Sequence, residues 1–132
     1  MIGLDTNILV RYFAQDDPKQ SLWATEIIEK EISKKSPGFI SCVVLVETVW
    51  TLIRAYKMEP KNIMVIIEDL MNAEDLQLEN REDVWKAHQL VCSQGLDFAD
   101  ALLGAIHHSH GCDYTLTFDK GAAKSDLFRA AS

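Results

Sequence analysis

The sequence predicts an α/β protein, a sandwich of helices around a short, mostly parallel sheet. Three observations predict it. Short apolar runs, Ile2–Leu4, Phe39–Ser41, Leu76–Leu78 and Tyr114–Phe118, alternate with longer segments whose apolar residues recur at helical spacing. Turn and breaker residues, among them Asp17-Pro18, Ser36-Pro37-Gly38, Glu59-Pro60, Gly95 and Gly111, fall between them. The strand–helix alternation itself requires crossover connections, which make neighbouring strands parallel.

The elements follow in order. Ile2–Leu4 reads as a short buried strand, and residues 7–13 as a helix carrying Ile8, Leu9, Tyr12 and Phe13. Asp17 caps a helix that has Pro18 in its first turn and runs to about Ser33, with Leu22, Trp23, Ile27, Ile28 and Ile32 on its inner side. A strand at Phe39–Ser41 feeds a helix over about 42–56, apolar nearly all round and therefore expected to be mostly buried. An amphipathic helix over 61–71 leads to the Leu76–Leu78 strand. Residues 81–94 form the next helix, with Val84, His88, Leu90 and Val91 as candidate core, ended by Gly95. A helix over 97–110 and the Tyr114–Phe118 strand come next. Residues 121–131 read as a short helix, with no final strand after Asp126-Leu127-Phe128.

Length and composition agree with one soluble domain over residues 1–132. The residues are 48% apolar and 25% charged, and no apolar run reaches the ~20 residues of a membrane span. The chain opens on a strand-like segment without a basic leader, so the expected location is the cytoplasm, away from membranes. Cys42, Cys92 and Cys112 are scattered, lack CxxC spacing and are read as packing residues, which speaks against zinc. The net charge of −7 argues against a broad basic surface for nucleic acid, although a bound divalent ion reverses charge locally. It also suits a basic partner.

Four acids stand out by position. Asp5 ends the first apolar run, Glu47 lies in the apolar Cys42–Trp50 stretch, Asp100 opens a helix and Asp119 follows the last predicted strand. A charge among apolar residues costs free energy unless it is paired or metal-bound. Each acid has a plainer reading beside the functional one. Asp5 caps the following helix, Glu47 faces solvent, Asp97 and Asp100 form an N-cap with an acidic first turn, and Asp119 is a turn residue. Asp97 is the better cap and Asp100 the better metal ligand. In a parallel sheet the ligand crevice lies beyond the carboxyl ends of the strands, within reach of all four acids.

Oxygen ligands with no Cys or His in register call for a hard cation, Mg²⁺ or Mn²⁺. Such an ion leaves room for a phosphate oxygen and a water, the setting of phosphodiester hydrolysis with a carboxylate as general base.

Asp5-Thr6-Asn7-Ile8-Leu9-Val10-Arg11, Glu47 in its apolar helix, Asp97-Phe98-Ala99-Asp100-Ala101-Leu102 and Thr117-Phe118-Asp119-Lys120 together resemble the PIN domain, and more narrowly the VapC-type toxins of toxin–antitoxin pairs. The resemblance runs from Ile2 to about Leu127. It implies a three-layer α/β/α fold with a short parallel sheet of four or five strands. It implies a Mg²⁺- or Mn²⁺-dependent endoribonuclease cutting tRNA or rRNA, a homodimer held inactive by a cognate antitoxin over the acidic cleft. The family's acids correspond here to Asp5, Glu47, Asp100 and Asp119, as catalytic and metal-binding residues. Asp97, Thr6, Asn7 and Thr117 enter as accessory residues.

Arg11 and Lys120 are candidate RNA contacts, each with a solvated or ion-paired reading beside it. Arg54 and Lys57 are candidates to border a groove, but nothing in the sequence singles them out. His107, His108 and His110 read as surface residues, and Trp23, Trp50 and Trp85 as core or dimer contacts rather than base-stacking platforms. Two alternatives stay open: a PIN-like module that binds RNA or a partner without cutting, and a DNA-directed PIN-like nuclease. A phosphoacceptor receiver domain fits poorly, since the first strand supplies only Asp5 where that design needs paired acids.

Overall fold

The computed structural model describes residues 1–132, a mixed α/β protein with six α-helices and parallel strand pairings throughout. The chain divides into two compact units, Met1–Glu79 and Asn80–Ser132.

The first unit holds β1 (Ile2–Gly3), α1 (Thr6–Ala14), α2 (Pro18–Glu26), β2 (Gly38–Ile40), α3 (Cys42–Arg54), α4 (Pro60–Asn72) and β3 (Leu76–Leu78). The strands form one parallel sheet in the order β1-β2-β3, with Ile2 opposite Gly38 and Gly38 opposite Leu76. Parallel pairing puts all three carboxyl ends, and the residues Asp5, Ser41 and Glu79 that follow them, at one edge of the sheet. Asp17 caps α2 as predicted, accepting the amide hydrogens of Lys19 and Gln20, with Pro18 supplying the preset φ of the first turn. The helix loosens into a π-turn at Ile27–Glu31.

The core of this unit is a one-sided affair on each helix. On α3, Leu45, Thr48, Val49 and Leu52 are buried at the i, i+3, i+4, i+7 spacing of a single stripe. Thr48 tolerates burial because its hydroxyl donates to the Val44 carbonyl at 2.7 Å. Leu9, Leu45, Leu52 and Ile67 are fully enclosed, each worth about 2 kcal/mol of apolar burial.

Several expectations are corrected here. The all-round apolar α3 is not mostly buried: Val43, Trp50 and Ile53 face solvent, with Val43 68% exposed. Leu22 and Trp23 of α2 are exposed as well, and Ser21 and Ala24 take the inner positions assigned to them, whereas Ile32 is buried as expected. Small side chains let that helix approach closely, which is why periodicity of large residues misassigned its inner face. Ile2 is on an edge strand and exposed, while Leu4 just beyond it is buried.

The second unit holds α5 (Arg81–Gln94), α6 (Phe98–Ser109), β4 (Thr115–Thr117), a 3₁₀ turn (Ala122–Lys124) and β5 (Phe128–Ala130). Gly95, at φ +69°, closes α5 in the left-handed conformation that glycine adopts without strain. Of the candidate core of α5, Val84 is buried, His88, Leu90 and Val91 are partly so, and Ala87 joins them.

The expected helix over 121–131 is instead the 3₁₀ turn and a strand. β5 pairs in parallel with β4, Thr115 opposite Phe128. The physical reason is packing: Phe128 is 6% exposed and lies against Gly104 of α6, where an added Cβ would stand 2.7 Å from its ring. Trp85 is also exposed, so none of the three tryptophans is core. No helix is long and apolar enough to cross a membrane.

Candidate active site

Asp5 sits at the N-cap position of α1, in extended backbone (φ −86°, ψ 159°), yet its carboxylate makes no capping hydrogen bond. Its main-chain carbonyl accepts from Ile8 at 3.1 Å instead. An exposed carboxylate at a helix N-terminus, released from capping, is left available to a ligand. The capping reading of Asp5 therefore loses its support.

Glu47 is on the second turn of α3. It is exposed, contrary to the expectation from its apolar neighbours, because it falls on the outer face while Leu45, Thr48 and Val49 fall on the inner one. Thr6, next to Asp5, donates a long 3.4 Å hydrogen bond to Glu47 Oε1. That contact joins the β1–α1 corner to α3 and gives the accessory Thr6 a definite place. Asn7 is exposed on the first turn of α1.

A residue that sequence reasoning passed over organises this corner. Glu79, directly after β3, accepts the Cys42 amide hydrogen at 2.8 Å and so occupies the first turn of α3. Ser41 caps the same helix through Val44. The signal was present in the sequence: Glu79 follows β3 as Asp5 follows β1.

In the second unit, Asp97 is the N-cap of α6, its Oδ2 accepting the Asp100 amide hydrogen at 3.2 Å. Asp100 is partly buried in the first turn. No protein donor reaches its carboxylate. Burial, then the charge of Asp97, then that of Asp119 push its pKa above the usual carboxylate value. Asp119 Oδ1 accepts from Gly121 and Ala122 at 2.8 and 3.1 Å, and its own amide donates to Thr117 Oγ1 at 3.0 Å. Asp119 is thus a turn residue held by Thr117, with Oδ2 outside the turn. The turn reading of Asp119 is borne out at Oδ1, which takes both turn hydrogen bonds.

Asp97, Asp100 and Asp119 line one pocket of about 430 Å³, with Leu96, Lys124 and Ser125. Crowding three carboxylates is unfavourable without a counter-charge, and their hard oxygens suit a divalent cation. The donor set fits Mg²⁺ or Mn²⁺ in chemistry. Within neither unit are three or more His, Cys, Asp or Glu side chains drawn to coordination spacing.

The candidate RNA contacts fare differently. Arg11 is engaged: Nε donates to Gln20 at 2.9 Å and Nη1 to both Asp16 oxygens at 3.1 Å and to the Tyr56 hydroxyl at 3.0 Å. Tyr56 in turn donates to Asp16 at 2.6 Å. This closed network suits the ion-paired reading of Arg11. Lys120 is exposed beside Asp119. His107 meets Thr115 Oγ1 and His110 the Ile106 carbonyl, both as surface residues.

Comparison with curated proteins finds no match. Along the chain, an acid follows the first strand, another lies on the helix after the second, a capped acidic helix start comes next, and an acidic turn follows the fourth strand. The sequence pattern of the PIN domain matches residues 2–126, nearly the entire chain, and the protein belongs to the PIN domain family.

Proposed function

We propose that this protein is a Mg²⁺- or Mn²⁺-dependent endoribonuclease acting as the toxin of a VapBC-type pair. PIN domains are a nuclease fold that generally works with divalent metal. The observation that supports the finer reading is Asp100: a partly buried carboxylate that lines one pocket with Asp97 and Asp119 and feels the charge of both.

Asp5, Glu47, Asp100 and Asp119 are the proposed catalytic and metal-binding carboxylates. Asp97 sets the start of α6 and thereby the position of Asp100. Thr117 fixes the Asp119 turn, and Thr6 tethers Glu47. A bound dication supplies charge stabilisation at the phosphoryl group. The chain's own part is to receive the proton of the attacking water on one of its carboxylates as the new P–O bond forms and the bond to the leaving ribose oxygen breaks. The proposed substrates are tRNA or rRNA. The proposed partners are a second copy and a cognate antitoxin, in the cytoplasm, with a basic segment suited to an acidic cleft.

The test is cleavage of purified tRNA and rRNA with Mg²⁺, Mn²⁺ or EDTA, beside Asp5→Asn and Asp100→Asn. Metal-dependent cutting lost in both variants supports the proposal. Cutting that survives either substitution, or EDTA, removes it. Tight Mn²⁺ binding without cleavage of RNA but with cleavage of DNA redirects it to a DNA nuclease.

A further inference from the structure

Trp50 is 57% exposed on α3, and the Arg54 guanidinium lies over its ring at 4.5 Å from the centroid. Val43 and Ile53 of the same helix are exposed with it, and exposed apolar residues grouped on one element mark an interaction surface. Trp50 is three residues after Glu47 and Arg54 four residues further on, so Glu47, Trp50 and Arg54 share one outward helix face. The stripe runs from the acid to the indole and the guanidinium over roughly 10 Å of helix axis.

Arg54 differs from Arg11 in one decisive respect. Arg11 is saturated by Asp16, Gln20 and Tyr56, whereas Arg54 makes no ion pair and no hydrogen bond, only the ring contact. Lys57, just past the end of α3, is likewise exposed without an ion pair. In a chain of net charge −7, cations not already neutralised by their own protein are where phosphate is met most favourably.

We propose that Trp50 and Arg54 form a single-strand RNA platform, with a nucleobase stacking on the indole and the adjacent phosphate held by the guanidinium. The platform rests on the reading of Glu47 as a nuclease residue, and it leads the strand along α3 toward that acid. Aromatic rings accept any base through its π-face, and an arginine stacked on a ring is already ordered for a phosphate. The neighbouring Val43 and Ile53 would also suit a protein face. A second copy seated there, however, would cover Glu47.

The experiment measures binding of a fluorescein-labelled single-stranded 12-mer RNA by anisotropy in EDTA, so that cleavage plays no part. Trp50→Ala is expected to weaken binding about ten-fold, and Trp50→Phe much less, because the ring persists. Arg54→Ala is expected to weaken binding and to reduce the salt dependence by about one phosphate contact. Size-exclusion chromatography and thermal melts accompany each variant. Unchanged affinity in Trp50→Ala and Arg54→Ala overturns the platform, as does wild-type protein that leaves the RNA unbound. A shift from dimer to monomer in Trp50→Ala at unchanged affinity per chain assigns the face to a second copy and overturns it too. Wild-type protein that binds the 12-mer through these residues but never cleaves RNA with Mg²⁺ or Mn²⁺ removes the nuclease reading and leaves the platform standing.

Discussion

The Asp97 carboxylate accepts the main-chain hydrogen of Asp100 at 3.2 Å, so the residue that starts α6 also sets the electrostatics of the acid three positions later. One side chain satisfies an orphan helix donor and places a negative charge beside a carboxylate that burial already disfavours as an ion.

Asp97 therefore carries two separable effects. Asp97→Ala should cost about 1 kcal/mol through loss of the cap, read by chemical denaturation. Asp97→Asn keeps a good cap and removes the charge, so Asp100 should titrate lower than in wild type. Carboxyl chemical shifts followed against pH measure it, and an unmoved Asp100 would show that burial and Asp119 set its pKa without Asp97.

Asp100→Asn should lower RNA cleavage by about 10² or more while raising the melting temperature of metal-free protein near neutral pH. The rise follows from removing a charge that Asp97 and Asp119 repel. Melting scans in EDTA check it. A drop in melting temperature would mean the carboxylate is stabilised by something other than a cation.

The pH dependence has a definite sign. The folded pKa of Asp100 lies above the usual 3.8, so its contribution to stability is complete below that value and is lost as pH climbs through the raised one. Mn²⁺ affinity runs the other way. The carboxylate must be deprotonated to bind, so affinity grows as pH rises through the same window. Calorimetric titration at several pH values from acid to neutral reads the slope, and a flat profile would exclude Asp100 as a ligand.

The Arg11–Asp16–Tyr56 network should behave as structure and not as substrate contact. Hydrogen bonding from Tyr56, then from Arg11, holds the Asp16 carboxyl below its ordinary range. Its stabilising share is present above the unfolded value and lost as pH falls through the folded one. Arg11→Ala should lower the melting temperature modestly at neutral pH, with the difference shrinking in acid, and leave RNA affinity unchanged. A loss of affinity comparable to that of Arg54→Ala would return Arg11 to the RNA face.

Gly104 and Phe128 test the strand at the end of the chain. Gly104→Ala drives a methyl group against the Phe128 ring and should cost about 1–3 kcal/mol. Phe128→Ala empties the same site and should cost about 3–5 kcal/mol. Urea unfolding measures both, and near-neutral values would show that β5 is not needed by α6.

Sequence alone determined the element order and the acids worth watching, because these depend on local chemistry. Asp17-Pro18 starts a helix, Gly95 ends one and Asp97 caps one by interactions spanning a few residues, and each appears where composition put it. The PIN pattern is legible for the same reason, since it is a set of residue types at strand and helix boundaries. Tertiary structure decided which face of each helix is dry and where the short last strand goes. Periodicity marked α3 as apolar all round, but only packing against its neighbours selected Leu45, Val49 and Leu52 for the interior and left Trp50 and Glu47 in solvent. β5 is too short to declare itself by pattern; it exists because β4 offers a parallel edge and Gly104 leaves space for Phe128. Likewise the pairing that engages Arg11 and spares Arg54 spans residues as far apart as Arg11 and Tyr56, a relationship that no local window contains.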